Sequence, residues 1–331
     1  MPAAEHQGPS VQLTPLAGGG NNRVFRVDLA SGEPYLLKWY FQDAWQERDR
    51  LTAEFSFLEF AWESGIRCVP RPVARHESEP IALYEFVAGD PVRPAEVGAT
   101  DILGACRFVA DLQVARGRLV ATRLTSGAEA CFSLAAHVEC LARRVERLLR
   151  RHSDSQVDRE MHDFVLDMLA PSADDVAESV RATVSLDAFV RELPLPQRCL
   201  SPSDFGFHNA LRRPDGSLCF LDFEYAGWDD PARVICDFFC QVAVPVPREH
   251  LPLMAQKFEE LWPEADILRR VNRLLPLYVL KWSCILLNEF LSEGQSRRQF
   301  ALELDDLTAR KRQQLAKARA MADSVSWLLA A

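Results

Sequence analysis

The sequence predicts an α+β protein of two lobes: a small one built on an antiparallel sheet with one helix, and a large, mostly helical one. Three observations predict it. Segment 11–87 is rich in short apolar and aromatic runs separated by Gly, Asn and Pro turns, with one helical stretch inside it. "AGDPVRP" (88–94) is dense in turn formers and reads as a linker. Beyond it nearly every stretch has helical spacing. The chain has 331 residues, long for one core and comfortable for two. The expected division is a disordered lead at 1–10, an N-terminal lobe at 11–88 and a C-terminal lobe at 89–331.

Taken in order, "VQLTPLAGGGNNRVFRVDL" predicts two strands joined by a Gly/Asn turn, and "EPYLLKWYF" a third. "DAWQERDRLTAEFSFLEFAWESG" predicts a helix that Asp43 caps and Gly65 ends. "PRPVARHESEPIALYEFV" supplies two more strands around a polar turn. Helices are expected at about 99–116, 129–151, 157–169, 172–191, 231–243, 248–260, 264–291 and 297–329. One irregular stretch interrupts them: "RCLSPSDFGFHNALRRPDGSLCFLDFEYAG", with Asp215-Gly216 as a turn. Chemistry favours such loops on rigid frames.

Composition narrows the function. A net charge of −9 argues against nucleic acid as the main partner, because phosphate binding needs a basic surface. No stretch approaches the roughly 20 apolar residues of a membrane helix. The start "MPAAEHQGPS" has neither the basic residues nor the apolar core of a secretory signal. The nine cysteines are odd in number and scattered, as suits buried thiols in a reducing cytoplasm. Cys236 and Cys240 suit core packing, and His137 with Cys140 belongs to an amphipathic helix without a second ligand pair. The basic tail "ARKRQQLAKARA" fits a helix end.

Four features carry chemistry. Gly18, Gly19, Gly20, Asn21 and Asn22 lie between two strands, where glycines let backbone N–H groups approach an anion or simply form a flexible hairpin. The stretch is neither a Walker loop nor a dinucleotide fingerprint. Lys38 stands among apolar and aromatic residues; pointing inward, it needs a partner, with Glu54 the candidate, and otherwise it lies on an exposed strand face. Asp204, Asn209 and Asp222 occupy a loop and a hairpin that can fold together. Two carboxylates and an amide oxygen suit Mg²⁺. Trp282 and Glu289 fall near one helix face with Asn288 beside them, either an aromatic and acidic wall for a cationic acceptor or a core tryptophan with exposed polar neighbours.

With these residues in view, the chain resembles the aminoglycoside phosphotransferase and choline kinase-like family, which shares the protein-kinase fold. The family's catalytic stretch runs H-G-D-x-H-x-x-N, then I-D-[FW]-E-x-A-x-x-G-D-P-x-x-D-[LF]. Asp204 and Asn209 match the first part, and "LDFEYAGWDDPARVICDF" the second. "GGGNNRVFRV", "YLLKWY", "AEFSFLEFAWESGIRCVPRPV" and "ALYEFVAGDPV" resemble the nucleotide loop, lysine strand, helix signature and hinge. The resemblance spans about residues 13–245. It implies a Mg²⁺-dependent phosphotransferase that moves the γ-phosphoryl of ATP or GTP to a hydroxyl of a small molecule such as an amino sugar or amino alcohol. Asp204 would be the catalytic base, and Asn209 and Asp222 the metal ligands. Lys38, paired with Glu54, would contact the phosphates under the 18–22 loop. Backbone groups of Glu85, Phe86 and Val87 would hold the nucleobase. Glu224, Trp282, Asn288 and Glu289 would face the acceptor, and Asp237 would brace the catalytic loop.

The chain also departs from the pattern. Pro202 and Ser203 replace the usual His-Gly, Gly206 takes the second histidine's place, and His208 stands beside Asn209. The alternatives are a degenerate nucleotide-binding regulator on the same fold and a helical scaffold that holds another protein. A monomer and a homodimer are both compatible with the sequence.

Overall fold

The structure, a computed structural model, describes residues 11–16, 21–30, 32–42, 48–151, 155–292, 295, 300 and 306–325. The expected lead at 1–10 lies outside the described residues.

The N-terminal part is a five-stranded antiparallel sheet. Its strands are β1 (Val11–Pro15), β2 (Arg23–Leu29), β3 (Tyr35–Trp39), β4 (Pro72–Arg75) and β5 (Ile81–Glu85), in the order β1-β2-β3-β5-β4. β3 is central, with Lys38 opposite Val24 on β2 and Ala82 on β5. The one helix, α1 (Arg50–Glu63), starts at Asp49, whose side chain accepts from Thr52 N. That corrects the cap expected at Asp43, which lies outside the described residues. Gly65 ends the helix as expected, in the left-handed region at φ +87° that glycine adopts without strain.

The C-terminal part is mostly helical. Helices α2 (Ala99–Ala115), α3 (Leu134–Leu149), α4 (Gln156–Phe164), α5 (Ala170–Ala182) and α6 (Leu186–Val190) precede the irregular stretch. Helices α7 (Pro231–Cys240), α8 (Leu251–Leu261), α9 (Ile267–Leu286) and α10 (Leu307–Asp323) follow it. The sequence predicts a break near 170, but a π-helical turn at Val165–Leu169 carries the chain from α4 straight into α5. Pro171 lies just after this turn, and the π-helical turn is where the regular i→i−4 ladder is already interrupted, so proline's missing N–H is accommodated there. Of the helix expected at 297–329, Leu307–Asp323 is described, and Asp306 caps it by accepting from Ala309 N. No described helix is long and apolar enough to cross a membrane.

The irregular stretch folds into short strands. β6 (Asp90–Pro91), β8 (Ala210–Arg212) and β9 (Leu218–Phe220) form one small sheet. β7 (Cys199–Ser201) and β10 (Gly227–Asp229) form another. A chain of phenylalanines packs beneath them. Phe57 of α1 stacks on Phe223 at 4.9 Å, and Phe108 of α2 stacks on Phe220 at 4.9 Å. Phe205 meets both Phe220 and Phe238 at 5.2 Å, and Phe207 meets Phe238 at 5.2 Å. Aromatic pairs of this geometry each add about 0.5–1.5 kcal/mol beyond their buried area. The chain runs from α1 through the loop strands to α7, so it fixes the loops against both parts of the fold.

Candidate active site

The alternation in "SDFGFHN" has a packing cause. Phe205 and Phe207 are buried in the aromatic chain, which turns Asp204, His208 and Asn209 the other way, into partial exposure. Asp204 follows β7, and a 3-10 turn at Phe207–Asn209 brings Asn209 back to it. The amide Nδ2 of Asn209 donates to the Asp204 carbonyl at 3.0 Å. Leu221 N donates to the Asn209 carbonyl at 2.8 Å, which sets the residue before Asp222 against the same turn. Asp204, Asn209 and Asp222 are thus joined across two segments by main-chain and side-chain bonds. The β8–β9 hairpin closes through Arg213 N on the Ser217 carbonyl at 2.8 Å, with Gly216 at φ +84° in the turn.

Ser203, Asp204 and Asp222 have φ of +47°, +38° and +64°. Left-handed backbone at non-glycine residues costs of order 1–3 kcal/mol each and persists where surrounding structure enforces it, often at functional sites. Here the enforcing structure is the phenylalanine chain, which flanks Asp222 through Phe220 and Phe223 and follows Asp204 through Phe205 and Phe207.

Lys38 points inward and is buried. Its Nζ lies 2.6 Å from Glu54 Oε2 and 2.5 Å from Asp222 Oδ1. Burial alone would push the ammonium's pKa down, but Asp222, Glu54 and Glu224 outweigh it and hold it well above the usual lysine range. Glu54 does three things. It receives Lys38, it receives the Tyr40 hydroxyl at 2.7 Å, and its Oε1 receives Phe223 N at 3.2 Å. It therefore links the lysine strand to the Asp222 segment. Burial, ahead of the opposing Lys38 charge, raises the Glu54 carboxyl above its ordinary value. Tyr40 was missed in the sequence, although a residue two beyond Lys38 on a strand shares its face.

The donors suit a hard cation. The Asp222 carboxylate is 30% exposed, and the Asn209 amide oxygen takes no hydrogen bond among the described residues. No group of three or more His, Cys, Asp or Glu poised for a metal is present among the described residues. A cage made wholly of side-chain ligands of these types is therefore absent there. Two oxygen ligands completed by phosphates and water are what Mg²⁺ accepts.

Other expected residues fall elsewhere. Gly18, Gly19 and Gly20 lie outside the described residues. Asn21 and Asn22 each donate to Glu224, at 2.8 Å. Glu224 is fully buried, so its expected place against an acceptor is corrected: it ties the β1–β2 loop to the segment after Asp222. Arg48 ties the same segment, donating to the carbonyls of Glu224 at 3.0 Å and Ala226 at 2.6 Å; nothing in the sequence marks it. Trp282 is buried and donates Nε1 to Asp237 at 2.8 Å, which corrects its expected place in an acceptor wall. Glu289 is buried and paired with Arg310 at 3.0 Å, so it presents no open carboxylate to a cation. Asn288 accepts from Arg147 at 3.1 Å. Asp237 binds Arg233 at 3.1 Å as well as Trp282, and so braces α7 against α9 instead of holding the catalytic loop. Glu85 closes β5, its carboxylate accepting from Arg71 N at 3.1 Å, and the Phe86 ring lies under Arg26 at 4.7 Å. Val87 follows, half-buried. His137 is buried between Tyr278 at 2.8 Å and Asp230 at 3.0 Å, a structural bridge. Cys236 and Cys240 are buried in the core, and all nine cysteines are free.

A buried lysine–glutamate pair facing an aspartate, with a second aspartate and an asparagine beside it on loops between a small sheet and a helical lobe, defines a kinase-like enzyme. The chain belongs to the phosphotransferase enzyme family, whose model matches residues 12–270. Among solved structures it is similar to a spectinomycin phosphotransferase crystallised with ADP and spectinomycin, at 13% identity and a TM-score of 0.61, with 96% of this chain and 93% of that one covered. It is similar to a choline kinase from Cryptosporidium parvum at 11% identity and a TM-score of 0.58, covering 96% and 93%. It is similar to an ethanolamine kinase from Plasmodium vivax at 15% identity and a TM-score of 0.60, covering 94% and 84%. At these identities the likeness is one of fold. No curated protein sequence matches the chain.

Proposed function

We propose that the chain transfers the γ-phosphoryl of ATP or GTP, with Mg²⁺, to a hydroxyl of a small molecule. The observation that carries this is the continuous run from Glu54 through Lys38 and Asp222 to Asn209 and Asp204. Phosphoryl transfer is mainly positioning and charge neutralisation, and each member has a part in it. Lys38, held by Glu54, binds the nucleotide phosphates. Asn209 and Asp222 would hold Mg²⁺, which when bound neutralises charge on the phosphates. Asp222, whose carboxylate also contacts Lys38, would serve both the lysine and the cation. Asp204 is partly exposed and accepts the proton of the attacking hydroxyl. Asn21 and Asn22, through Glu224, hold the residues just before β2 against this segment. Backbone groups near Glu85–Val87 receive the nucleobase.

The acceptor is an amino sugar, an amino alcohol or a related hydroxyl compound, in line with what the structural neighbours are named for. The test is ATP consumption and product mass against a panel of such compounds, with water as the reference acceptor. Acceptor-dependent ADP release with a product heavier by one phosphoryl group supports the reading. MgATP binding without transfer to any acceptor or to water favours the non-catalytic regulator.

A further inference from the structure

We propose that His208 is a positioning residue for Asp204, and that Gly206 is glycine to make room for the imidazole. The inference rests on the reading of Asp204 as the base. His208 Nε2 lies 3.3 Å from Asp204 Oδ1, across the 3-10 turn. A Cβ placed on Gly206 would stand 2.8 Å from His208 Nδ1, 3.0 Å from its Cε1 and 3.0 Å from Gln241 Cγ. Gly206 has φ 174°, extended backbone open to any residue. Its conformation therefore gives no reason for glycine, and the space does. Any larger residue at 206 drives the ring off its seat.

The turn itself is rigid, because Phe205 and Phe207 on either side of Gly206 are buried in the aromatic chain. The ring's outer nitrogen is specified too. Nδ1 is buried and has no hydrogen-bond partner among the described residues. A proton there would be an orphaned buried donor, so the surroundings select the tautomer with its proton on Nε2, the nitrogen that faces Asp204. Nε2–H then donates to Oδ1. Asn209 Nδ2 holds the Asp204 carbonyl and stands 3.5 Å from Oδ2. The carboxylate's orientation is fixed from one side, and Oδ2 is left with only this long contact for an incoming hydroxyl. His208 touches no reacting atom. It acts by presenting the base.

Two measurements on the full-length chain test this. In ¹⁵N-histidine spectra, with His208 assigned by its loss in His208→Gln, we expect the Nε2–H tautomer and a shift of that resonance in Asp204→Asn. An Nδ1–H tautomer, or a resonance that Asp204→Asn leaves in place, overturns the proposal. In kinetics, with water as the acceptor if no other is found, His208→Ala should lower kcat by about 10–100-fold, the range for groups that orient a site's working side chains. The KM for ATP should be unchanged. His208→Gln, whose amide N–H reaches as far as Nε2, should restore most of the rate. Gly206→Ala should behave like His208→Ala. Unchanged kcat in His208→Ala while Asp204→Asn is inactive sinks this inference alone. Full turnover in Asp204→Asn sinks the assignment of the base instead.

Discussion

Two groups of aspartates stand close together in the sequence and are treated in opposite ways by the fold. Asp204 and Asp222 keep side-chain exposures of 33% and 30%. Asp229, Asp230 and Asp237 have 1%, 0% and 10%. Each of the buried three has an arginine: Asp229 at 2.7 Å and Asp237 at 3.1 Å share Arg233, and Asp230 meets Arg270 at 2.6 Å. Asp204 has only His208 and the Asn209 amide, and Asp222 only Lys38, among their described side-chain contacts. A carboxylate taken out of water needs its compensating cation built in. A carboxylate meant to meet a proton or a metal must keep some of its capacity open. The difference separates the acids that hold α7 and α9 from the two proposed to meet the proton and the metal.

The largest structural effect should come from the buried group. Asp230→Ala leaves Arg270 and the α7 N-terminus unpaired and should cost about 3–5 kcal/mol, measured by urea unfolding. The pH dependence has a definite sign. Burial pushes the Asp230 carboxyl up, but Arg270 and His137 overcome it and bring it to about 2, below the ordinary 3.8. A lowered carboxyl contributes stability that is whole above about pH 3.8 and is lost as pH falls through about 2. The stability gap between the wild type and Asp230→Asn should therefore be constant at higher pH and narrow below pH 3.8. A gap that widens toward acid would reverse the assignment of that residue.

A working acid should respond differently. Asp222→Asn should raise the Mg²⁺ concentration for half-maximal turnover by about 10–100-fold while lowering the unfolding midpoint less than Asp230→Ala does, because Glu54 still pairs with Lys38. A midpoint that drops as far as in Asp230→Ala would place Asp222 with the structural group. The smallest effect is expected from Trp282→Phe, which removes one hydrogen bond to Asp237 and should cost about 1 kcal/mol. The KM for the acceptor should not change. An altered KM would put Trp282 back in the acceptor wall.

Much of this was legible in the sequence because the residues that form the lobes repeat locally. Strand runs around Gly/Asn turns, and helical spacing after residue 94, need no tertiary knowledge. The Lys38–Glu54 pair was legible as one of two alternatives: a lysine pointing inward from an apolar strand needs a carboxylate, one on the exposed face does not, and the structure selects the first. What was not legible depends on which of several acids meets which cation. Glu224 and Glu289 read as open carboxylates, yet Asn21 and Asn22 close the first and Arg310, far along the chain, closes the second. Trp282 and Asp237 were assigned separately and turn out to bind each other. Asp49, six residues beyond the expected Asp43, caps α1, and nothing in the composition separates the two aspartates as caps. His208 stood in plain view as a departure from the family pattern, but its relation to Gly206 is a matter of space that only coordinates reveal.

The most direct test of the cleft is turnover in Asp204→Ala, set beside MgATP affinity in the same protein. Loss of a general base should lower turnover by about 10²–10⁴-fold with the nucleotide dissociation constant unchanged. Undiminished transfer in that variant would contradict the account, because a partly exposed acid held in left-handed backbone beside Asn209 would then have no part in the reaction.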